Sequence, residues 1–300
     1  MIESIANWVR QRRKLARFAL SCIPDITCTI HVEPIGALRT RLRMNRSFWL
    51  HDPLTHEGFM LGALQRMIHD EDVVYDVGAN IGMYCRFMVS QFHARQVICF
   101  EPMTKNRELL TQNVFLSGAL KERISILHFA LGENDGEEEL QVDDISSASA
   151  VLSSVTNGAA CQARRDYGYP PIVERVCVAR LDTLLETGNW KLSPPNVIKI
   201  DIEGAAGMML RGARVTLQKF RPKIAVELHG VEEARQVMEI LIESGYACFG
   251  YINVDGKAAY RQLHLQDSEK LKGYYDLHHL VASFDTNDIN ESIELFSIRK

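Results

Sequence analysis

Continuous apolar runs of strand length alternate with amphipathic stretches of helix length over most of this chain. Such runs are typical of strands buried on both faces, and the intervening 3.6-residue periodicity is typical of crossover helices. The predicted strands are Val73–Val77, Gln96–Phe100, Ile124–Phe129, Val197–Ile202, Lys223–Leu228, Tyr246–Ile252 and Leu277–Phe284. The predicted helices are Glu57–Ile68, Met83–Gln91, Lys105–Ser117, Met208–Gln218 and Glu232–Ser244. The alternation predicts an α/β fold, with a mostly parallel seven-stranded sheet that carries helices on both faces.

We place this α/β domain at residues 56–285, after an extension over residues 1–55 and before an acidic tail over 286–300. In the extension, residues 4–21 predict a helix, and the alternation in residues 26–50 predicts a β-hairpin. The helix has a basic face formed by Arg10, Arg12, Arg13, Lys14 and Arg17. One interpretation of this face is a peripheral contact with a membrane of anionic lipid. The narrow apolar stripe favours a cap helix with a solvated basic face.

Residues 143–175 interrupt the alternation and predict a long insertion between strands. Insertions of this length in a compact domain are usually functional or disordered. Here the segment would lie over the carboxyl ends of the strands, where open α/β sheets bind ligands. Its aromatic and basic residues could stack on a sugar and hold an anionic group, and a plain surface loop is the alternative. These residues are Arg164, Arg165, Tyr167 and Tyr169.

Composition and charge narrow the class of protein. The chain is 46% hydrophobic and 24% charged, as in soluble globular domains, and its net charge of −4 gives no basic field for nucleic acid. Its seven cysteines are an odd number without a C-x-x-C motif, which predicts reduced thiols in a cytoplasmic protein. No apolar run approaches the length of a membrane span, and Pro24 interrupts the short apolar stretch near the N-terminus. We therefore expect neither a membrane span nor a cleaved signal peptide.

The strand Val73–Val77 runs directly into a glycine-rich turn, and the segment Val73–Gly82 has the sequence VVYDVGANIG. The turn contains Gly78, Asn80 and Gly82, and a predicted helix follows at once. A strand that feeds a tight turn at the head of a helix exposes backbone N–H groups, against which a nucleotide-like ligand can bind. Taken alone, the turn also fits an ordinary strand–helix connection that binds no cofactor.

An acid at the end of the next predicted strand points to a nucleoside ligand. Glu101 stands about twenty residues after the last glycine, where a carboxylate can accept hydrogen bonds from both ribose hydroxyls. The spacing differs from the G-x-G-x-x-G of NAD-binding turns, because Asn80 occupies the middle position and Asp76 precedes the turn. S-adenosylmethionine has no phosphates, so Asp76 and the glycine turn would meet its methionine end.

A set of motifs in fixed order resembles the FkbM family of S-adenosylmethionine-dependent methyltransferases over roughly residues 75–230. The motifs are DVGANIGMY from Asp76, FEP at Phe100–Pro102, Leu109 with Asn113, FALGENDG at Phe129–Gly136, LDTLL at Leu181–Leu185 and IKIDIEG at Ile198–Gly204. The resemblance implies a Rossmann-like methyltransferase fold. It also implies O-methylation of a hydroxyl on a sugar, glycolipid, polysaccharide or polyketide-type metabolite, so we expect a small-molecule or glycan acceptor.

The resemblance also implies which residues bind S-adenosylmethionine. They are Asp76, Gly78, Ala79, Asn80, Gly82, Glu101, Pro102, Ala130 and Asp201. Glu57 stands where relatives often carry a glutamate that touches the cofactor. Where the family commonly has an acid or a large residue two residues after its E-G pair, this chain has Ala206. A degenerate S-adenosylmethionine-binding protein without turnover is therefore the first alternative function, and an NAD-dependent oxidoreductase is the second.

Methyl transfer from a sulfonium is an in-line displacement that depends on positioning, and a hydroxyl acceptor also needs a base or a polarising group. Asp201 and Glu203, at the end of the fourth predicted strand, are candidates for these roles. His229, which shares one face of the next strand with Glu227 by period two, is the candidate general base. The alternatives are a helix-capping carboxylate for Asp201 and a structural histidine for His229. Histidine, aspartate and glutamate are not clustered at metal-ligand spacing, so we expect no metal.

Overall fold

The computed structural model describes residues 15, 18–142, 150–155, 172–254, 257–264 and 279–285. The strands are β1 (Thr27–Val32), β2 (Gly36–Arg41), β3 (Val73–Val77), β4 (Gln96–Phe100), β5 (Ile124–Leu127), β6 (Phe129–Leu131), β7 (Gly136–Val142), β8 (Val151–Leu152), β9 (Ile172–Ala179), β10 (Val197–Ile200), β11 (Lys223–Glu227), β12 (Ala247–Val254), β13 (Lys257–Leu263) and β14 (His279–Ser283). The α-helices are α1 (Ser47–Leu50), α2 (Pro53–His56), α3 (Gly58–Met67), α4 (Met83–Ser90), α5 (Thr104–Phe115), α6 (Leu181–Glu186), α7 (Ala206–Arg211), α8 (Arg214–Phe220) and α9 (Val231–Glu243). A 3-10 helix covers Gly118–Arg123.

The central sheet has eight strands in the described part of the chain, in the order β13-β12-β14-β11-β10-β3-β4-β5. Strands β11, β10, β3, β4 and β5 pair in parallel, whereas β14, β12 and β13 extend one edge by antiparallel pairing. The predicted α/β fold is confirmed, but the prediction of seven strands is wrong. The additional strand is β13, a hairpin partner of β12 whose sequence KAAYRQL lacks the apolar run that marks the other strands.

A second sheet of four described strands, in the order β6-β9-β7-β8, packs on the loops that follow β4 and β10. The predicted strand Ile124–Phe129 is divided between the two sheets, since β5 ends at Leu127 and Phe129 begins β6. The predicted insertion at residues 143–175 contributes β8 and the first residues of β9. Its aromatic and basic residues, Arg164, Arg165, Tyr167 and Tyr169, lie outside the described residues.

Apolar side chains fill both faces of the central sheet. On one face, a buried cluster that includes Leu38, Leu64 and Phe87 joins the β1–β2 hairpin, α3 and α4 to the strands. On the other face, α6 to α9 contribute residues such as Leu210 and Leu241. Each fully buried side chain of this size stabilises the fold by about 1.5–3 kcal/mol. The strand ends that carry the candidate site therefore belong to a tightly packed platform.

The predicted helix Met208–Gln218 is two helices, α7 and α8, with a break at Gly212. A Cβ at Gly212 would lie 1.9 Å from the carbonyl oxygen of Gly132, so the chain passes too close to this backbone for a larger residue. The carboxylate of Asp182, in α6, accepts a hydrogen bond from the N–H of Thr216 at 2.8 Å. A carboxylate at this position satisfies an N–H group that the first turn of α8 leaves without a helical partner.

The hairpin predicted in residues 26–50 is present as β1 and β2 and is bonded to the α/β domain. Arg86, in α4, donates to the carbonyl oxygens of two hairpin residues at 2.5 and 2.6 Å. Asn113, in α5, accepts from the N–H of Arg39 at 2.7 Å and donates to the carbonyl oxygen of Ile81 at 2.8 Å. One side chain thus connects the hairpin to the glycine-rich turn.

The ends of the chain are described in part. Residues 18–21 are helical, whereas the rest of the helix predicted over 4–21, apart from Leu15, lies outside the described residues, as does the tail over 286–300. Within the described ranges, none of the helices combines the length and the apolar character that a membrane crossing requires.

Candidate active site

A cavity of about 450 Å³ opens at the carboxyl ends of β3, β4, β10 and β11, where open α/β sheets bind their ligands. The second sheet and residues 44–51 contribute further walls. Among the predicted site residues, those that line the cavity are Gly78, Asn80, Glu101, Pro102, Ala130, Asp201, Glu203 and His229. Asp76, Ala79 and Gly82 are buried and stand outside this lining.

The glycine-rich turn is held against the end of β10. Gly78 and Gly82 have φ angles of +77° and +86°, in the left-handed region that glycine adopts without steric cost. A Cβ at Gly78 would lie 1.9 Å from the carbonyl oxygen of Asp201, so the two backbones meet where a side chain cannot fit. Asn80 has φ +51°, and asparagine is among the residues that tolerate this region. The turn and the end of β10 therefore form one continuous wall.

Glu101 follows β4 and is only 5% exposed. Its carboxylate accepts hydrogen bonds from the N–H of Asn80 at 2.8 Å and from the N–H of Met103 at 2.9 Å. Burial raises the pKa of Glu101 to about 7, although these two N–H groups act to lower it. The side chain of Asn106 also hydrogen-bonds to Glu101 and acts to lower its pKa. A carboxylate has about four lone-pair sites, so at least one site of Glu101 stays open to a ligand hydroxyl.

Lys199, which sequence reasoning did not single out, lies beneath the turn in the middle of the sheet and is 1% exposed. Its ammonium is 3.2 Å from Asp76 Oδ1, 3.1 Å from the carbonyl oxygen of Gly78 and 3.4 Å from Asp201 Oδ2. Burial alone would lower the pKa of Lys199, but Asp76 and Asp201 raise it above its ordinary value. The ammonium is therefore charged and joins the turn to two carboxylates.

Asp76 is not part of the cavity lining. Its side chain is fully buried, and it stands opposite Lys199 in the pairing of β3 with β10. Burial raises the pKa of Asp76, and Lys199 opposes that change. The methionine-end contact that the sequence predicts for Asp76 thus remains a prediction, while the observed contact of its carboxylate is with Lys199.

The predicted catalytic residues Asp201, Glu203 and His229 meet on one wall of the cavity. His229 Nε2 is 3.3 Å from Asp201 Oδ1, and His229 Nδ1 is 3.6 Å from Glu203 Oε2. Burial would lower the pKa of His229, but its hydrogen bond to Asp201 and the charge of Glu203 raise it to about 10. Burial would raise the pKa of Asp201, yet Lys199 and His229 hold it well below its usual range. At neutral pH, the histidine is therefore a cationic donor between carboxylates.

Glu227, at the end of β11, also lines the cavity, as its period-two relation to His229 predicts. Burial and the charge of Asp201 raise the pKa of Glu227 to about 8. One oxygen or nitrogen atom each from Asp201, Glu227 and His229 lies within 4.8 Å of the other two. The premise that these residue types do not cluster is therefore wrong for this trio. Adjacent strand ends bring together residues that are distant along the sequence.

Ala206, where the family commonly has an acid, is fully buried at the start of α7. Its N–H donates to Glu233 Oε1 at 2.9 Å, and the N–H of His229 donates to Glu233 Oε2 at 2.7 Å. The Glu233 carboxylate, from α9, therefore connects the backbone after β11 to the start of α7. It satisfies an N–H group at the start of α7, so this helix is capped without an acid at position 206.

Comparison with known proteins identifies relatives in one enzyme class. Residues 76–248 match the family described as the methyltransferase FkbM domain. The hexuronic acid methyltransferase AglP of Haloferax volcanii is 24% identical over 208 residues, which cover 69% of this chain and 77% of that protein.

Two solved methyltransferase structures match most of this chain at low similarity. A methyltransferase FkbM from Methylobacillus flagellatus has a TM-score of 0.42 and 16% identity, over 72% of this chain and 44% of its own. An O-methyltransferase from Bacillus cereus in complex with SAH has a TM-score of 0.43 and 13% identity, over 78% of this chain and 83% of its own. The chain thus spans less than half of the length of the Methylobacillus protein.

Proposed function

The chain belongs to the family of FkbM methyltransferase domains, and from that premise we propose that it transfers the methyl group of S-adenosylmethionine to a hydroxyl of a saccharide, glycolipid or related metabolite. One observation carries the proposal. The glycine-rich turn and Glu101 face the same cavity as Asp201, Glu203 and His229. A methyl donor held by the first group therefore lies beside an acceptor held by the second.

The turn and Glu101 would hold the methyl donor. Glu101 would accept a hydrogen bond from the ribose at its open lone-pair site, with its orientation fixed by the N–H groups of Asn80 and Met103. The backbone of Gly78 and Asn80 would face the methionine end. Pro102 and Ala130, which line the cavity beside Glu101, would contact the nucleoside.

Asp201 would orient the acceptor. In the transfer, the acceptor oxygen forms a bond to the methyl carbon, the carbon–sulfur bond breaks, and its electron pair stays on sulfur. Positioning supplies much of the rate of such a displacement. Because the pKa of His229 is raised to about 10, we assign it the role of a donor that holds Asp201, in place of the general base that the sequence predicts. Asp201 and Glu203 would accept the hydrogen bond of the acceptor hydroxyl, whose proton passes to solvent as the new bond forms.

Two further observations support a saccharide acceptor and a cytoplasmic location of the protein. AglP is described as a hexuronic acid methyltransferase, which favours a saccharide acceptor over other hydroxyl compounds. In the described part of the chain, the cysteines carry free thiols at Cys22, Cys28, Cys85, Cys99, Cys177 and Cys248. Free thiols are the usual state in a reducing compartment, so we propose a cytoplasmic protein.

Calorimetry with S-adenosylhomocysteine tests the donor half. At pH 8.5, above the pKa of about 7, Glu101 is ionised, and Glu101→Gln removes this charged acceptor of the ribose. The change should weaken binding by about 1.5–3 kcal/mol, the range for a hydrogen bond to a charged group. Glu108→Gln, an exposed change on the neighbouring helix α5, is the matched control and should bind like the unaltered protein. Equal affinity of both variants, or tighter binding of NAD than of S-adenosylhomocysteine, would remove the cofactor proposal.

A methyl-release assay on uronic acids, neutral sugars and lipid-linked glycans tests the acceptor half. Asp201→Asn should leave affinity for S-adenosylhomocysteine within a few fold and should lower transfer about a hundredfold, the range for a positioned acid–base group. Full activity of Asp201→Asn would show that the acceptor side lies elsewhere. If the unaltered protein binds cofactor but methylates no acceptor, and Ala206→Glu creates activity, the chain is a degenerate binder.

A further inference from the structure

Asp201, Glu227 and His229 form a compact cluster of side chains of the types that bind metals. One ligand-type atom from each lies within 4.8 Å of the other two, and all three residues line the cavity. Their spacing is set by the sheet, because β10 pairs in parallel with β11 and places Ile200 opposite Val226. Asp201 and Glu227 are therefore the next positions on adjacent strands.

The chemistry of the cluster fits a cation that accepts both oxygen and nitrogen. Bonds from Zn²⁺ to histidine nitrogen and carboxylate oxygen are about 2.0–2.2 Å long, so ligand atoms on one ion lie roughly 3–4 Å apart. The ligand-type atoms of the trio lie within 4.8 Å of one another, so small side-chain rotations would bring them into that range. Imidazole and carboxylate together suit Mn²⁺ and Zn²⁺. Without a metal, His229 is protonated and hydrogen-bonds to Asp201. Binding of the cation releases that proton, because a metal ligand must be deprotonated.

Two further carboxylates lie on the same side of the cavity, where Lys199 and His229 are the neighbouring cations. Glu57 and Glu203 also line it, the first as acceptor of the Tyr84 hydroxyl at 2.5 Å. The charges of Asp201 and Glu57 both act against ionisation of Glu227. A divalent cation bound between Asp201 and Glu227 acts in the opposite direction, because a nearby positive charge favours the ionised form of a carboxylate.

We propose that Asp201, Glu227 and His229 bind one divalent cation of the Mn²⁺ or Zn²⁺ class, which holds the oxygen of the methyl acceptor. The proposal of a cation site depends only on the cluster of the three side chains. The role of the cation in methyl transfer rests on the proposed function. Three protein ligands leave coordination positions open, and a hydroxyl bound there is polarised. It loses its proton to solvent as its oxygen attacks the methyl carbon and the carbon–sulfur bond breaks toward sulfur.

Titration of the full chain with Mn²⁺ after chelator treatment, followed by electron paramagnetic resonance of the free ion, tests the site. The unaltered protein should bind one Mn²⁺, and Zn²⁺ should displace it. Loss of a supporting partner of a metal ligand costs 10–100-fold in affinity, so loss of a ligand should cost at least about tenfold. Glu227→Gln and His229→Asn should both show this loss, and the exposed Glu243→Gln should bind like the unaltered protein.

Two results would overturn the proposal: no Mn²⁺ binding by the unaltered protein, or equal binding by the unaltered protein and both ligand variants. Circular dichroism melting of each variant separates a lost ligand from a lost fold. As a second measurement, Co²⁺ bound to the unaltered protein should give visible absorption bands that change in His229→Asn if the imidazole is a ligand. Binding of S-adenosylhomocysteine is measured separately. Metal binding without cofactor binding would leave this site standing and would remove the proposed function, and the reverse result would remove only the metal.

Discussion

Lys199→Met should destabilise the protein more than any substitution of an exposed lysine. The change keeps most of the apolar stem of the side chain and removes the ammonium that contacts Asp76, Asp201 and the carbonyl oxygen of Gly78. Asp201 retains a charged partner in His229. Asp76 has a fully buried carboxylate, and burial raises its pKa. In the variant Asp76 loses the Lys199 charge, which limits that rise in the unaltered protein.

The size of the loss follows from this geometry. Removing one partner of a buried ion pair costs about 3–5 kcal/mol, because the remaining charge is left in a poor solvent. A whole domain is stable by only about 5–15 kcal/mol, so the variant should unfold at a far lower urea concentration. A carboxylate left this way takes up a proton instead of remaining charged. The folded-state pKa of Asp76 would then rise further above its unfolded value, and the variant would lose stability as pH rises between the two.

Urea denaturation followed by circular dichroism at pH 5 and pH 8 measures both effects. Lys199→Met should lose about 3–5 kcal/mol at pH 8 and less at pH 5, and the double variant with Asp76→Asn should recover at least about 1 kcal/mol. Lys105→Met, an exposed change on α5, should stay within about 0.5 kcal/mol. A loss below about 1 kcal/mol at pH 8, or no recovery in the double variant, would refute the account of the buried pair.

Two further predictions concern the turn and the histidine. Gly78→Ala should cost about 1–3 kcal/mol more than Gly36→Ala in urea denaturation. Both glycines have φ near +76°, but only at Gly78 would the new Cβ meet the Asp201 backbone, so equal losses would contradict the close approach. The raised pKa of His229 contributes stability fully below pH 6.5 and loses it as pH rises through about 10. The advantage of the unaltered protein over His229→Asn should therefore shrink between pH 7 and pH 10, and a constant difference would contradict this assignment.

Local sequence patterns predicted the strands that carry the site, because the ends of buried strands can be recognised from the sequence alone. The bounds of β3 and β4 match their predictions, since each is a short apolar run that ends at a polar or glycine residue. The period-two relation of Glu227 and His229 placed both on the cavity without knowledge of the neighbouring strands. Strand bounds and side-chain alternation can be predicted in this way because they depend only on the geometry of a single strand.

The contacts that the sequence did not predict are those between strands and helices that are far apart in the chain. Lys199 carried a visible signal, because lysine between Ile198 and Ile200 in a buried strand is almost never found without a partner. Its partner Asp76 is known only from the register of β10 against β3. The second sheet and the trio that includes Glu227 likewise form between segments that are far apart in the chain.

The position of β14 has a consequence for synthesis of the protein. This strand comes last in the described chain, yet it lies between β11 and β12 in the sheet. While the ribosome is still translating residues 279–283, the edge of β11 is open and the β12–β13 hairpin has no place to dock. An open strand edge is a template for pairing with another chain. A nascent chain therefore exposes this edge until β14 is complete, and a chain that terminates before β14 exposes it permanently.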